Sequence, residues 1–112
     1  MSRYPSKYRN RKVTRNGITY DSVKEFSRHQ DLLLLERAGA IQGLQRQVRF
    51  ELIPSQRYDG KVVERPVFYV ADFVYQEDGK TIVEDTKGFK TKDYVLKRKM
   101  MLYLCGIRIR EV

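Results

Sequence analysis

The segment from Pro66 to Lys87 constrains the fold more than any other part of the chain. Two β-rich runs, PVFYVADFVYQ and KTIVEDTK, are separated by little more than Asp78-Gly79. That dipeptide accepts positive φ at both positions and suits a two-residue hairpin turn. Such a turn sets the register. Glu77 then faces Lys80, Tyr75 faces Ile82, Val74 faces Val83, and Asp72 faces Asp85. Lys87 lies two residues beyond Asp85 and projects from the same face. A three-residue loop would slip the register and part the two acids.

Carboxylates directly opposite on adjacent strands repel each other and raise the pKa of one member. Nothing in an otherwise apolar hairpin recommends that arrangement structurally. A divalent cation removes the repulsion, and oxygen-only ligands suit Mg²⁺ or Mn²⁺. Lys87 adds a charge able to contact a phosphate or orient water. Metal, carboxylates and lysine are together the parts used in phosphodiester hydrolysis. The competing reading is an exposed salt-bridge patch on a half-solvated sheet; the register of Asp72 against Asp85 favours the first.

The rest of the chain supplies a frame for this hairpin. Residues 1–12 carry five bases without apolar period and read as a flexible basic arm, with residues 13–112 as a single domain. Asn16-Gly17 predicts a short hairpin placing Val13 opposite Tyr20. Ser22 and Glu25 fit a capping box that opens a helix over 22–38, with Gly39 just past its end. Val23, Phe26, Leu33 and Leu34 are its expected inner face. Residues 44–53 alternate as a strand, and 55–65 form a polar connection containing Asp59-Gly60. Thr91 caps a helix over 92–104, in which Tyr94, Val95, Met101 and Leu102 pack inward. Gly106 ends that helix, and 107–112 alternate as a last strand. The expected class is α/β (α+β), with element order α-β-β-β-α-β on a mixed sheet after an N-terminal hairpin.

The net charge of +9 is unevenly placed. Residues 1–21 sum to +5 and 87–112 to +6, around a middle of −2. Basic ends of this kind favour a polyanionic partner, most simply nucleic acid. Lys7, Arg9, Arg11 and Lys12 of the arm, and Lys90, Lys92 and Lys97 after the hairpin, are the candidate phosphate contacts. The single cysteine, Cys105, cannot form an internal disulfide and reads as core. There is no signal-like N-terminal stretch and no apolar run near the roughly 20 residues of a membrane span. These features lead us to expect an intracellular protein. The lone His29 and the absence of a Cys/His cluster argue against a zinc site, and there is no phosphate-binding Gly-Lys-Ser/Thr loop.

Asp72 followed by Asp85-Thr86-Lys87 resembles the PD-(D/E)xK nuclease motif, with Ala71 standing where the literal motif has proline. More closely, GITYDSVKEFSRHQDLLLLERAGAI, QVRFELIP and YVADFVYQEDGKTIVEDTKGFKT resemble a family of small phage proteins. That family, long catalogued as a domain of unknown function, is grouped with PD-(D/E)xK endonucleases and phage Holliday-junction resolvases. The resemblance runs over about residues 7–104. It implies a restriction-endonuclease-like core, a Mg²⁺-dependent (or Mn²⁺-dependent) DNA endonuclease acting on branched DNA, and a bacterial host cytoplasm. It also implies a third acid, Glu25, on the first helix.

The expected site is therefore Glu25, Asp72, Asp85 and Lys87. Asp72, Asp85 and the Thr86 carbonyl would hold the metal, with Glu25 contributing directly or through water. Gln47 could approach the cleft, although a surface strand position is its simpler role. Cutting two strands symmetrically would require a homodimer. The alternative is a non-catalytic nucleic-acid-binding module with a vestigial acid cluster.

Overall fold

A computed structural model describes residues 11–112. The chain is a mixed α+β fold. Strands β1 (Val13–Arg15) and β2 (Ile18–Tyr20) form the first hairpin, followed by α1 (Val23–Arg37) and β3 (Gln42–Ile53). A second small hairpin follows, β4 (Gln56–Tyr58) and β5 (Lys61–Glu64), then the long β6 (Val67–Glu77) and β7 (Lys80–Asp85). Helix α2 (Lys92–Cys105) and the short β8 (Arg110–Glu111) close the chain. The main sheet has the order β3-β6-β7-β8, antiparallel except for the parallel β7–β8 pair.

The turn chemistry works as the sequence predicts. Asp78 (φ 52°) and Gly79 (φ 76°) form the two-residue turn, and Glu77↔Lys80, Tyr75↔Ile82 and Val74↔Val83 pair as expected. Asn16-Gly17 likewise sets Val13 opposite Tyr20. Asp59-Gly60 does the same at the tip of β4–β5, so the polar connection expected over 55–65 is a third hairpin, standing apart from the main sheet. Helix α1 ends in a Schellman motif: the Gly39 N–H donates to the Glu36 carbonyl (3.0 Å) and the Ala40 N–H to that of Leu35 (2.9 Å).

Two apolar clusters lie on the two faces of the sheet. Leu32 of α1 packs with Ile41, Phe73 and Tyr75. Tyr94 and Met101 of α2 pack with Leu52, Tyr69, Ala71, Val74, Val83 and Ile109. Strand β6 changes sides between these clusters. Tyr69 and Ala71 belong to the α2 side, whereas Phe73 and Tyr75, of the same odd parity, belong to the α1 side. Strand β3 makes the same exchange, with Leu44 toward α1 and Val48 and Phe50 toward α2. The residues between, Gln47 on β3 and Asp72 on β6, occupy the crossing point.

Several inward assignments are overturned. The buried face of α1 is Glu25, His29 and Leu32, at helical spacing, while Val23 (58 %) and Leu34 (60 %) are exposed. Polar side chains win this face because the sheet and β2 supply partners for them: Arg46 for Glu25 and Tyr20 for His29. Leu102 and Cys105, expected in the core, are exposed near the end of α2, because Tyr94 and Met101 define that helix's inner side. The last strand shrinks from 107–112 to two residues. Among the described residues, no helix is long and apolar enough to cross a membrane.

Candidate functional site

The acids of the central hairpin meet at its open end. The bonded ladder stops at Phe73↔Glu84, one pair short of Asp72 and Asp85. Beyond that point a side chain takes over from the backbone. Asp72 Oδ2 accepts from the Thr86 N–H (2.9 Å) and the Thr86 hydroxyl (2.7 Å). The backbone of Asp85 and Lys87 is held from the other side by Val112, whose N–H donates to the Asp85 carbonyl (3.0 Å) and whose carbonyl accepts from the Lys87 N–H (3.3 Å). The D-x-K segment is thus fixed from both flanks.

Asp85 is 1 % exposed. Its Oδ2 accepts from the Tyr69 hydroxyl at 2.5 Å. Its Oδ1 is buried without a hydrogen-bond donor; Lys87 Nζ stands 3.5 Å away as an ion-pair partner. Burial, then the neighbouring Asp72, pushes the Asp85 carboxyl up to about 8. Lys87 also lies over the Tyr94 ring, 4.6 Å from its centroid, which fixes the ammonium between ring and carboxylate.

Glu25 fills two roles at once. Its N–H donates to the Ser22 hydroxyl (3.1 Å), and its Oε1 accepts from the Asp21 N–H (3.1 Å), so the reciprocal half of the cap falls one residue earlier than expected. Its Oε2 faces the sheet and accepts from Arg46 (3.2 Å) and from the Gln47 amide (2.9 Å). Burial and then Asp72 raise its pKa. Gln47 is exposed on β3, as expected, and its amide also lies 3.4 Å from Asp72 Oδ1, linking two of the candidate acids.

A cleft of about 370 Å³ opens over this cluster, lined by Glu25, Asp72, Thr86 and Lys87, with Arg11, Lys24, Phe89 and Tyr94 around them. Asp85 is buried and is not part of the cleft's lining. Among the described residues, no three His, Cys, Asp or Glu side chains converge as a metal-binding group. The donor set is therefore a pair, Asp72 and Asp85, with Glu25 held behind Gln47 and Arg46. The fit of a divalent cation rests on that pair: two adjoining carboxylates, one carrying a buried oxygen that no donor satisfies. Oxygen donors of this kind suit Mg²⁺ or Mn²⁺.

The candidate phosphate contacts divide. Lys7 and Arg9 lie outside the described residues. Arg11 borders the cleft. Lys12 pairs with Asp21 (3.2 Å), Lys90 with Glu111 (3.6 Å) and Lys97 with Asp93 (3.4 Å), while Lys92 is exposed. Tyr69, Arg46, Lys24 and the Arg28–Glu84 pair join the site without having been expected from the sequence. Only the last carried a signal: Glu84 alternates with Asp85 and must face the other helix, where a buried charge needs a partner.

His29 is structural. It is buried on α1 with its Nδ1 2.6 Å from the Tyr20 hydroxyl, and its ring stacks on Phe73. Burial lowers its pKa, with Arg46 adding to the effect.

The chain belongs to DUF1064, a family of proteins of unknown function, which it matches over residues 5–108. No curated protein and no solved structure matches it.

Proposed function

We propose that this protein is a divalent-metal-dependent DNA endonuclease with a PD-(D/E)xK core. The observation that carries the reading is the Asp72–Asp85 pair, with Lys87 3.5 Å from an Asp85 oxygen that no hydrogen-bond donor satisfies.

Asp72, Asp85 and the Thr86 carbonyl would hold Mg²⁺ or Mn²⁺, with Glu25 acting through water. The ion supplies Lewis acidity and a bound water of lowered pKa. The chain's own groups do the remaining work. Tyr69 holds Asp85 through one oxygen and leaves the other for the site. Thr86 fixes the Asp72 carboxylate through two donors. Lys87, steadied by the Tyr94 ring, places a positive charge where a scissile phosphate would gather negative charge in the transition state. Arg11 and Lys24 border the cleft and suit the flanking phosphates. Branched DNA is the substrate suggested by the family resemblance, and two copies would be needed to cut two strands symmetrically.

The test is cleavage of supercoiled plasmid and of four-way-junction DNA with and without Mg²⁺, beside binding to the same DNA. Cleavage is expected only with the metal, and Asp72→Ala is expected to abolish it. Tight binding without cleavage under any metal would reassign the protein as a non-catalytic nucleic-acid-binding module. RNA as the better substrate would overturn the choice of DNA.

A further inference from the structure

Among the described residues, four that are not glycine have left-handed φ: Asn16, Gln47, Asp59 and Asp78. Three of them open an Asn-Gly or Asp-Gly hairpin turn, where that conformation is required. Gln47 is different. It lies inside the twelve-residue β3 with φ 53°, a conformation uncommon for a residue with a long side chain, persisting where surrounding contacts enforce it. It is also the point where β3 crosses from one apolar cluster to the other, opposite the same crossing at Asp72. Its side-chain nitrogen lies 2.9 Å from Glu25 Oε2 and 3.4 Å from Asp72 Oδ1.

We propose that Gln47 is a positioning residue of the acid cluster: its carboxamide draws Glu25, carried by α1, and Asp72, carried by β6, together in readiness for a divalent cation. The inference rests on the nuclease reading and deepens it. The choice of side chain follows from charge. A lysine here would also bridge two carboxylates, but it would neutralise them and compete with the cation. A third carboxylate would repel both. The amide offers two N–H donors and no net charge, so it links the acids without adding to the positive charge that Arg46 already brings to Glu25. The left-handed backbone sets that amide between a helix and a strand.

The test uses two variants of the full chain and measures Mn²⁺ affinity by calorimetry beside metal-free thermal unfolding. Gln47→Gly removes the amide and relaxes the backbone, since glycine takes positive φ freely. It is expected to melt at or above the wild-type temperature yet bind Mn²⁺ about 10- to 100-fold more weakly. Gln47→Met keeps the length and the backbone demand but has no donor, and the same loss of affinity is expected. Wild-type affinity in either variant overturns the proposal while leaving the nuclease reading intact. A wild-type chain that binds no Mn²⁺ and cleaves no DNA overturns both.

Discussion

Glu84 and Asp85 are consecutive residues of one strand, both acidic and both almost wholly buried, yet the fold treats them oppositely. Glu84 faces α1, where Arg28 forks onto both its oxygens (2.6 and 2.9 Å) and the Tyr75 hydroxyl adds a third bond at 2.6 Å. Arg110 in turn donates to that hydroxyl. Asp85 faces α2, with one tyrosine on one oxygen and a lysine at ion-pair distance from the other. A buried charge costs several kcal/mol unless it is paired and bonded. The Glu84 network meets that condition, and the Asp85 surroundings meet half of it. A fold able to satisfy one acid so fully leaves its neighbour with an oxygen that no hydrogen-bond donor reaches, and under the proposed function a cation would complete it.

The contrast can be attacked from either side. The largest effect is expected on the Glu84 side. Arg28→Ala strands a fully buried carboxylate and should lower stability by about 3–5 kcal/mol, equally with and without Mg²⁺. Denaturant unfolding measures it, and a loss under about 1 kcal/mol would show that Glu84 does not depend on its partner.

The next effect is expected at Lys87. Lys87→Ala should slow single-turnover DNA cleavage by on the order of 10²-fold while binding changes only a few-fold, because the charge acts locally. Lys90→Ala is the control, since it deletes a charge three residues away that pairs with Glu111. Parallel losses of binding and cleavage in both variants would make Lys87 one more surface base.

The last effect concerns the cost of Asp85 itself. Its folded pKa of about 8 lies above the ordinary 3.8, so the metal-free folded chain holds more protons than the unfolded chain across that interval. Stability should therefore fall as pH rises from about 4 to 8. Asp85→Asn removes the Asp85 share of this dependence, leaving that of Glu25, and should raise the metal-free melting temperature at pH 8 by about 4 °C or more. Unchanged melting at pH 8 would mean that Asp85 is not strained, and the asymmetry with Glu84 would dissolve.

The central hairpin was legible because two signals agree there: period-2 alternation and an Asp-Gly turn that admits one register. The order of the main-sheet strands and helices, though not the β4–β5 hairpin, and both helix N-caps were legible for similar local reasons. The inner face of α1 was not, because hydropathy counts Glu25 and His29 as outward, whereas Arg46 and Tyr20 supply the partners that let them turn inward. The side change in β6 was also hidden. Tyr69, Ala71, Phe73 and Tyr75 read as one uninterrupted face, and nothing in their pattern marks the break, which lies opposite the left-handed Gln47 of β3. Of the candidate site, Asp72, Asp85 and Lys87 follow from register. Glu25 came from family resemblance, and its link to Asp72 through Gln47 depends on that same break.

The crossing at Gln47 and Asp72 also bears on how the molecule assembles. Because β3 and β6 each contribute to both apolar clusters, neither helix has a sheet face of its own that could mature separately. Helix α1 packs on Leu44, Phe73 and Tyr75 of these strands, and α2 on Val48, Phe50, Tyr69 and Ala71. The crossing takes its final shape only when both have docked. Assembly of the acids is therefore expected to be coupled to the cooperative folding of the whole domain. Hydrogen exchange should accordingly find the amides around Asp72 opening together with the whole domain rather than with either helix alone.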